Sequence, residues 1–105
     1  MGEREYLMNG LKGFIERVGK DFPVEECIFF GSRAGREFRE DSDVDLIIVS
    51  SGFENMNFFE RAKKMYDYWE LDLPVDFLCY TPEEFRKLKN RISIVREAIA
   101  EGVKI

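Results

Sequence analysis

The chain has 105 residues, of which 45% are apolar and 35% are charged, a composition typical of a folded domain rather than a disordered segment. The 21 acidic residues outnumber the 16 basic ones, and the net charge of −5 makes duplex nucleic acid, a polyanion, an improbable partner. Histidine is absent, which excludes a histidine-based triad or zinc site and leaves carboxylates, hydroxyls, backbone amides and bound cations for any catalysis.

The first half of the chain predicts one helix followed by two strands. Apolar residues between Leu7 and Val18 recur at helical spacing, so the first twenty residues predict an amphipathic helix that ends near Gly19. Residues 27–30 form an apolar run that is too short for a helix and predicts a buried strand. A polar loop follows, and residues 44–49 then give the strongest strand pattern of the chain.

A second helix is predicted from Asn57 onward. Asn57 has the character of an N-cap residue, and Glu60 three positions later completes the pattern of a capping box. Aromatic and apolar residues recur along one face of this helix. We interpret this stripe as core packing, and any part of it left exposed would favour a homodimer or a partner protein. Its members are Phe58, Phe59, Met65, Tyr66 and Trp69.

The last third of the chain predicts a strand at residues 75–80 and then two helical segments. The run Thr-Pro-Glu-Glu at residues 81–84 combines an N-cap, a proline at the first helical position and a capping-box glutamate. The apolar periodicity continues toward Gly102 with a break near Asn90. The predicted order is α-β-β-α-β-α-α, which indicates an α/β (α+β) fold: a small mixed sheet covered by helices. No apolar run is long enough to span a bilayer and no signal peptide is recognisable, so we expect one cytoplasmic domain, residues 1–105.

Three aspartates are candidates for a metal site. Alternation along a strand places Asp43 and Asp45 on the same face, where they repel each other unless a cation neutralises them. Asp76 lies within a third, apolar strand, where an unpaired charge is expensive to bury. Hard oxygen ligands suit Mg²⁺ or Mn²⁺ better than zinc. The alternatives are that Asp43 and Asp45 cap a loop or lie on a solvated strand edge, and that Asp76 pairs with an arginine or faces water from an edge strand.

Gly31 and Ser32 follow the first strand directly, where a tight turn exposes backbone amides and a hydroxyl to an anion. The run Gly31-Ser32-Arg33-Ala34, followed by Ser-Asp-Val-Asp-Leu at residues 42–46, resembles the Gly-Ser and Asp-x-Asp signature of the polymerase-beta-type nucleotidyltransferase superfamily. Among its branches, the minimal nucleotidyltransferases of prokaryotes are similar to this chain in length and element order.

The resemblance implies a polymerase-beta-like fold and a transfer of a nucleoside monophosphate, AMP from ATP, to a hydroxyl, with release of pyrophosphate. It assigns Asp43, Asp45 and Asp76 as catalytic ligands of two Mg²⁺ ions. It assigns phosphate binding to Gly31 and Ser32, and Ser42 belongs to the same motif. Arg33 or Arg36 extends this donor site as a cationic clamp on the triphosphate, the alternative for each being a solvated loop arginine.

The resemblance also implies a partner. Minimal chains of this type usually pair with a helical HEPN-type ribonuclease as antitoxin and toxin, and a tyrosine of the toxin is the acceptor. A second hypothesis is a chain of the same fold that neutralises its partner by contact, with weak catalysis or none. The order Gly35-Arg36, where the family has Arg-Gly, favours this alternative, whereas the three aspartates favour the enzyme.

Overall fold

The computed structural model describes residues 2–31, 33–34 and 43–105. The described elements are α1 (Glu3–Gly19), β1 (Val24–Phe30), β2 (Val44–Ser50), a 3₁₀ turn (Ser51–Phe53), α2 (Phe58–Tyr66), β3 (Val75–Tyr80), α3 (Pro82–Lys89), α4 (Ile94–Glu101) and β4 (Val103–Lys104). The predicted order α-β-β-α-β-α-α is therefore confirmed. The 3₁₀ turn and the two-residue strand β4 were not predicted from the sequence, because so few residues carry no periodicity.

The sheet has four strands in the order β3-β2-β1-β4. Strand β2 is antiparallel to β1 and parallel to β3, as expected for two strands joined by the helix α2, and β4 extends the opposite edge by pairing antiparallel with β1. Consequently β2 and β3 begin, and β1 ends, along the same edge of the sheet, meaning here the edge that runs across the ends of the strands. This edge collects the residues that the sequence singled out.

Helices cover both faces of the sheet, and the strand residues divide between two apolar clusters. Alternate residues of β2, such as Leu46 and Ile48, pack with α1 and α2, where Leu11, Phe14 and Met65 are fully buried. The residues between them, Ile47 and Val49, pack instead with α3 and α4. The sheet is thus the middle of three layers, and the buried apolar side chains of its strands pack against one or the other helical layer.

Local sequence signals set the helix starts as predicted. Asn57 and Thr81 each accept a hydrogen bond from the backbone three residues later, and Glu60 and Glu84 each accept one from the backbone of the cap residue. Both capping boxes are therefore present. The break near Asn90 is also confirmed, because α3 ends at Lys89 and α4 begins at Ile94.

The interpretation of the aromatic stripe on α2 as core packing is correct only in part. The Met65 side chain is fully buried, but Phe59 is 84% exposed and Tyr66 is half exposed. The buried residues of α2 are Arg61 and Met65, and Phe59 lies about 160° and 120° from them around the helix, so it faces away from the sheet. In the described ranges, none of the helices is both long and apolar enough to cross a membrane.

Candidate active site

Asp45 and Asp76 lie side by side at the starting edge of the two parallel strands. They are Cα partners in the β2–β3 register, and paired residues of neighbouring strands direct their side chains to the same face. Asp45 is half-buried and Asp76 is exposed. The alternative of an edge-strand aspartate facing water is therefore correct for the position of Asp76. The register nevertheless places a second carboxylate directly beside it.

The electrostatics of this edge reflect partial burial of Asp45 and the crowding of like charges around it. Partial burial, followed by the carboxylates of Asp76 and Asp43, raises the pKa of Asp45 above its ordinary value. Asp43 immediately precedes β2 and is exposed. The three predicted carboxylates are thus close enough to influence one another, and a cation bound among them would relieve their repulsion.

Gly31 forms the second wall of this site. It follows the last residue of β1, and Phe30 is the cross-strand partner of Asp45. The backbone of Gly31 has a φ of +84°, in the left-handed region, and a Cβ atom built there would overlap Oδ2 of Asp45. Glycine is therefore required both for the backbone conformation and for the close approach of the carboxylate, and the turn lies beside the Asp45–Asp76 pair.

Two aromatic side chains that the sequence analysis assigned to the core have a further structural role here. The Tyr66 hydroxyl donates a hydrogen bond to the Val75 carbonyl oxygen at 2.5 Å, and the Trp69 indole donates one to the Leu73 carbonyl oxygen at 2.9 Å. Both fix the segment that leads into Asp76. Partial burial, then the carboxylates of Asp76 and Asp43, raises the pKa of the Tyr66 hydroxyl, which places this hydroxyl near the carboxylates.

Of the remaining predicted site residues, the structure describes only Arg33. Arg33 is buried, with 5% of its surface exposed, and lines a small cavity beside Glu3 and Leu73, so the alternative of a solvated loop arginine is wrong for it. Ser32, Ser42 and Arg36 lie outside the described residues, as does Gly35. The assignment of Gly31, Ser32, Arg33, Arg36 and Ser42 to phosphate binding stays a prediction.

The donor set fits a hard divalent cation in its chemistry. Carboxylate oxygens of Asp43, Asp45 and Asp76 are the ligands that Mg²⁺ and Mn²⁺ prefer, and their mutual repulsion is the electrostatic condition that such an ion relieves. Over residues 2–31, 33–34 and 43–105, however, no three acid or thiol side chains converge closely enough to enclose an ion. The three-ligand site is therefore still a prediction, and the adjacent pair is what the structure shows.

Comparison with known proteins assigns this arrangement to a family. Residues 11–100 match the family model described as "Nucleotidyltransferase domain", a span that includes β1, β2, β3 and the candidate site. The chain belongs to this nucleotidyltransferase family. Domains of this family generally use divalent metals and nucleoside triphosphates. Family membership thus supports nucleotidyl transfer as the general activity of the domain.

A solved structure shares the fold of this nucleotidyltransferase domain. A crystal structure from Sulfolobus solfataricus, whose own assignment as a nucleotidyltransferase is provisional, superimposes with a TM-score of 0.68 at 25% identity and covers 96% of this chain and 80% of that chain. A second provisionally assigned nucleotidyltransferase gives a TM-score of 0.47 at 24% identity, covering 79% of this chain and 87% of that chain. No curated protein matches the sequence.

Proposed function

We propose that the chain is a divalent-metal-dependent nucleotidyltransferase that transfers AMP from ATP to a hydroxyl group of an acceptor. The observation that supports this most directly is the register of β2 and β3, which sets Asp45 beside Asp76, together with the approach of Asp45 to the Gly31 turn. Metal-ligand chemistry and a turn suited to phosphate are then combined at one edge of the sheet.

In this mechanism the side chains of the edge have different roles. Asp45 is half-buried between Phe30 and Asp76 and holds the reacting centre in place, whereas Asp76 is exposed on the outer strand, where an acceptor arrives from solvent. The acceptor oxygen bonds to the α-phosphorus, the bond to the pyrophosphate oxygen breaks, and the acceptor proton passes to the Asp76 carboxylate. Divalent cations, when bound, neutralise the crowded carboxylates and stabilise charge on the attacking and leaving oxygens.

The direct test measures transfer with ATP, Mg²⁺ or Mn²⁺ and candidate acceptors, using intact mass to detect a nucleotide-sized increase. We expect Asp45→Asn to lower the rate at least about a hundredfold, because it removes one charged ligand of the reacting centre while preserving side-chain size. Glu54→Gln is the matched control, since it is an exposed acid that follows the opposite end of β2 and should keep the rate. Equal rates for the two variants would contradict the proposal.

We also propose that the acceptor is a tyrosine of a partner protein, the HEPN-type ribonuclease implied by the resemblance. Support comes from a groove of 510 Å³ between α2 and α3. The groove is lined in part by Phe58, Tyr80, Lys87 and Arg91, and none of the three candidate aspartates lines it. With Phe59 84% exposed nearby, this surface offers aromatic and cationic groups to a protein partner. Co-expression with such a ribonuclease should give an AMP-sized mass increase on the ribonuclease that Asp45→Asn abolishes.

The exposed aromatic surface of α2 also favours the second candidate function, neutralisation of the ribonuclease by contact. The two functions separate with one variant. If contact alone protects, Asp45→Asn protects a substrate RNA from the ribonuclease as well as the unmodified chain does. If transfer protects, ribonuclease activity returns with Asp45→Asn but stays inhibited with Glu54→Gln.

A further inference from the structure

A cavity of 280 Å³ lies between the end of β1 and helix α4. Its apolar wall is formed by Phe30, Ile94 and Ala98, and its polar wall is formed by two carboxylates of α4, Glu97 and Glu101. Gly31 completes the lining. No step of the mechanism above uses Glu97, Glu101 or the cavity between them and β1.

The cavity adjoins the candidate active site through Phe30 and Gly31. Phe30 is the cross-strand partner of Asp45, so both side chains lie on the face of the sheet that α3 and α4 cover. Gly31 also lines the cavity and lies beside Asp45, since a Cβ built on Gly31 would overlap Oδ2 of Asp45. Asp76, Asp45 and Phe30 are therefore paired across three neighbouring strands, and Phe30, at one end of this row, lines the cavity.

The chemistry of the cavity is selective. Glu97 and Glu101 are one helical turn apart, and neither has an ion pair or hydrogen-bond partner among residues 2–31, 33–34 and 43–105, although like charges at this spacing destabilise a helix. Carboxylates accept hydrogen bonds and repel phosphate, so the triphosphate is excluded. A pair of hydroxyl groups suits them, and carboxylates bind ribose hydroxyls in other nucleotide sites. The volume of 280 Å³ is slightly below the usual range for ligand pockets, about 300–1,000 Å³, and fits a sugar better than a whole nucleotide.

We propose that this cavity is the ribose subsite of the nucleotide donor. Glu97 and Glu101 accept hydrogen bonds from the 2′ and 3′ hydroxyl groups, and the apolar wall of Phe30, Ile94 and Ala98 packs against the sugar. The inference rests on the proposed function, because the donor is the nucleotide whose phosphates lie at Gly31. It adds a specificity that the carboxylate row alone does not supply: discrimination in favour of a nucleotide with both hydroxyls.

The experiment measures binding without turnover. Calorimetry in Ca²⁺ compares ATP with 2′,3′-dideoxy-ATP for the unmodified chain and for the double variant Glu97→Ala with Glu101→Ala. We expect the unmodified chain to bind ATP at least about tenfold more tightly, and the double variant to bind both nucleotides equally, since hydrogen bonds to charged groups contribute this much. Alanine favours the helix, and both glutamates are exposed, so the fold is retained and circular dichroism verifies it.

Glu16→Ala is the matched control, because Glu16 is an exposed acid of α1 on the other side of the sheet. It should keep the tenfold preference for ATP. The subsite is contradicted if the unmodified chain binds both nucleotides equally, or if the double variant keeps the preference. A chain that binds neither nucleotide would contradict the proposed function, and the subsite with it, and is thereby distinguished from a failure of the subsite alone.

Discussion

Gly31 shows how strongly one residue constrains this site. Its φ of +84° is unfavourable for any residue with a Cβ atom, and a Cβ there would overlap the Asp45 carboxylate. We expect Gly31→Ala to lower the free energy of unfolding by about 1–2 kcal/mol. Transfer should fall at least about tenfold, because displacement of a reacting group by about 1 Å is costly in rate.

The control for this substitution is Gly19→Ala. Gly19 ends α1, and a Cβ built there meets nothing within 4 Å. This change should leave the transfer rate unaltered and raise the free energy of unfolding slightly, by about 0.5 kcal/mol, because alanine loses less backbone entropy on folding. Urea denaturation and the transfer assay, run on both variants, measure the two effects separately. Similar results for the two glycines would show that the Gly31 turn does not constrain Asp45.

The importance of Gly31 was accessible from the sequence, whereas that of Arg61 was not. A glycine directly after an apolar strand and before a serine is a local pattern. Arg61 is 6% exposed and donates hydrogen bonds to the carbonyl oxygens of Phe53, Met56 and Cys79 and to the Glu84 carboxylate. These acceptors lie at irregular separations of 5, 8, 18 and 23 residues from Arg61, so no spacing rule identifies them.

At the scale of elements, the Arg61–Glu84 ion pair joins α2 to α3. The two side chains are 2.6 Å apart, and the guanidinium is almost fully buried while Glu84 is 45% exposed. Partial burial by itself would raise the pKa of Glu84, but hydrogen bonds from Arg61 and from the Thr81 backbone, together with the Arg61 charge, lower the pKa below its ordinary value. The ionised carboxylate is therefore the form that stabilises the fold.

This lowered pKa fixes the sign of a pH dependence. Because the pKa of Glu84 is lower in the folded state, its contribution is complete above the ordinary value of 4.5 and is lost as the pH falls through the lower, folded-state value. We expect Glu84→Gln to lower the free energy of unfolding at pH 7 by about 1 kcal/mol, a modest effect because solvent screens the exposed half of the carboxylate. The difference from the unmodified chain should shrink as the pH is lowered from 5 toward 3.

Glu83→Gln is the control for that titration. Glu83 is the neighbouring acid, its side chain is 73% exposed, and it pairs with Lys87 at 3.4 Å on the surface. Its replacement should change the free energy of unfolding by no more than about 0.5 kcal/mol. Urea denaturation at several pH values measures the free energy of unfolding of both variants. Identical pH profiles for the two would argue against a special role of the Arg61–Glu84 pair.

Elements with complete local signals were predictable from the sequence. The capping boxes at Asn57 and Thr81 use residues three positions apart, so the starts of α2 and α3 follow from short patterns. The two-residue strand β4 exists only because β1 offers it an edge, and a local pattern cannot report that. Likewise, periodicity places Phe59 near an apolar stripe, but the width of the face that meets the sheet is a property of tertiary packing.

At the scale of the whole molecule, the candidate site lowers the stability of the metal-free chain. The fold partly buries Asp45 and brings Asp76 beside it, and this burial, followed by repulsion from Asp76 and Asp43, raises the pKa of Asp45. We expect Mn²⁺ at a hundred times its Kd to stabilise the unmodified chain by about 2.7 kcal/mol. For a domain of this size that corresponds to a rise in Tm of roughly 10–20 °C.

The same measurement on Asp45→Asn separates metal binding from general salt effects. This variant should be slightly more stable than the unmodified chain in EDTA, because one repelling charge is gone, and should gain little from Mn²⁺. Glu54→Gln, far from the site, should respond to Mn²⁺ as the unmodified chain does. Thermal unfolding of the unmodified chain and both variants, with and without Mn²⁺, measures these differences. An equal rise in Tm for Asp45→Asn and the unmodified chain would mean that the ion binds elsewhere.

The parallel register of β2 and β3 has one more consequence, for how preparations of this protein should be judged. Side chains alternate along a strand, so a slip of β3 by one residue would send the Asp76 carboxylate through to the opposite side and turn Val75 or Phe77 outward. Such a molecule would keep its helices and much of its circular dichroism, yet its reacting groups would be separated by the sheet. Specific activity would then count correctly assembled molecules, a measure of folding fidelity that spectroscopy of the backbone does not provide.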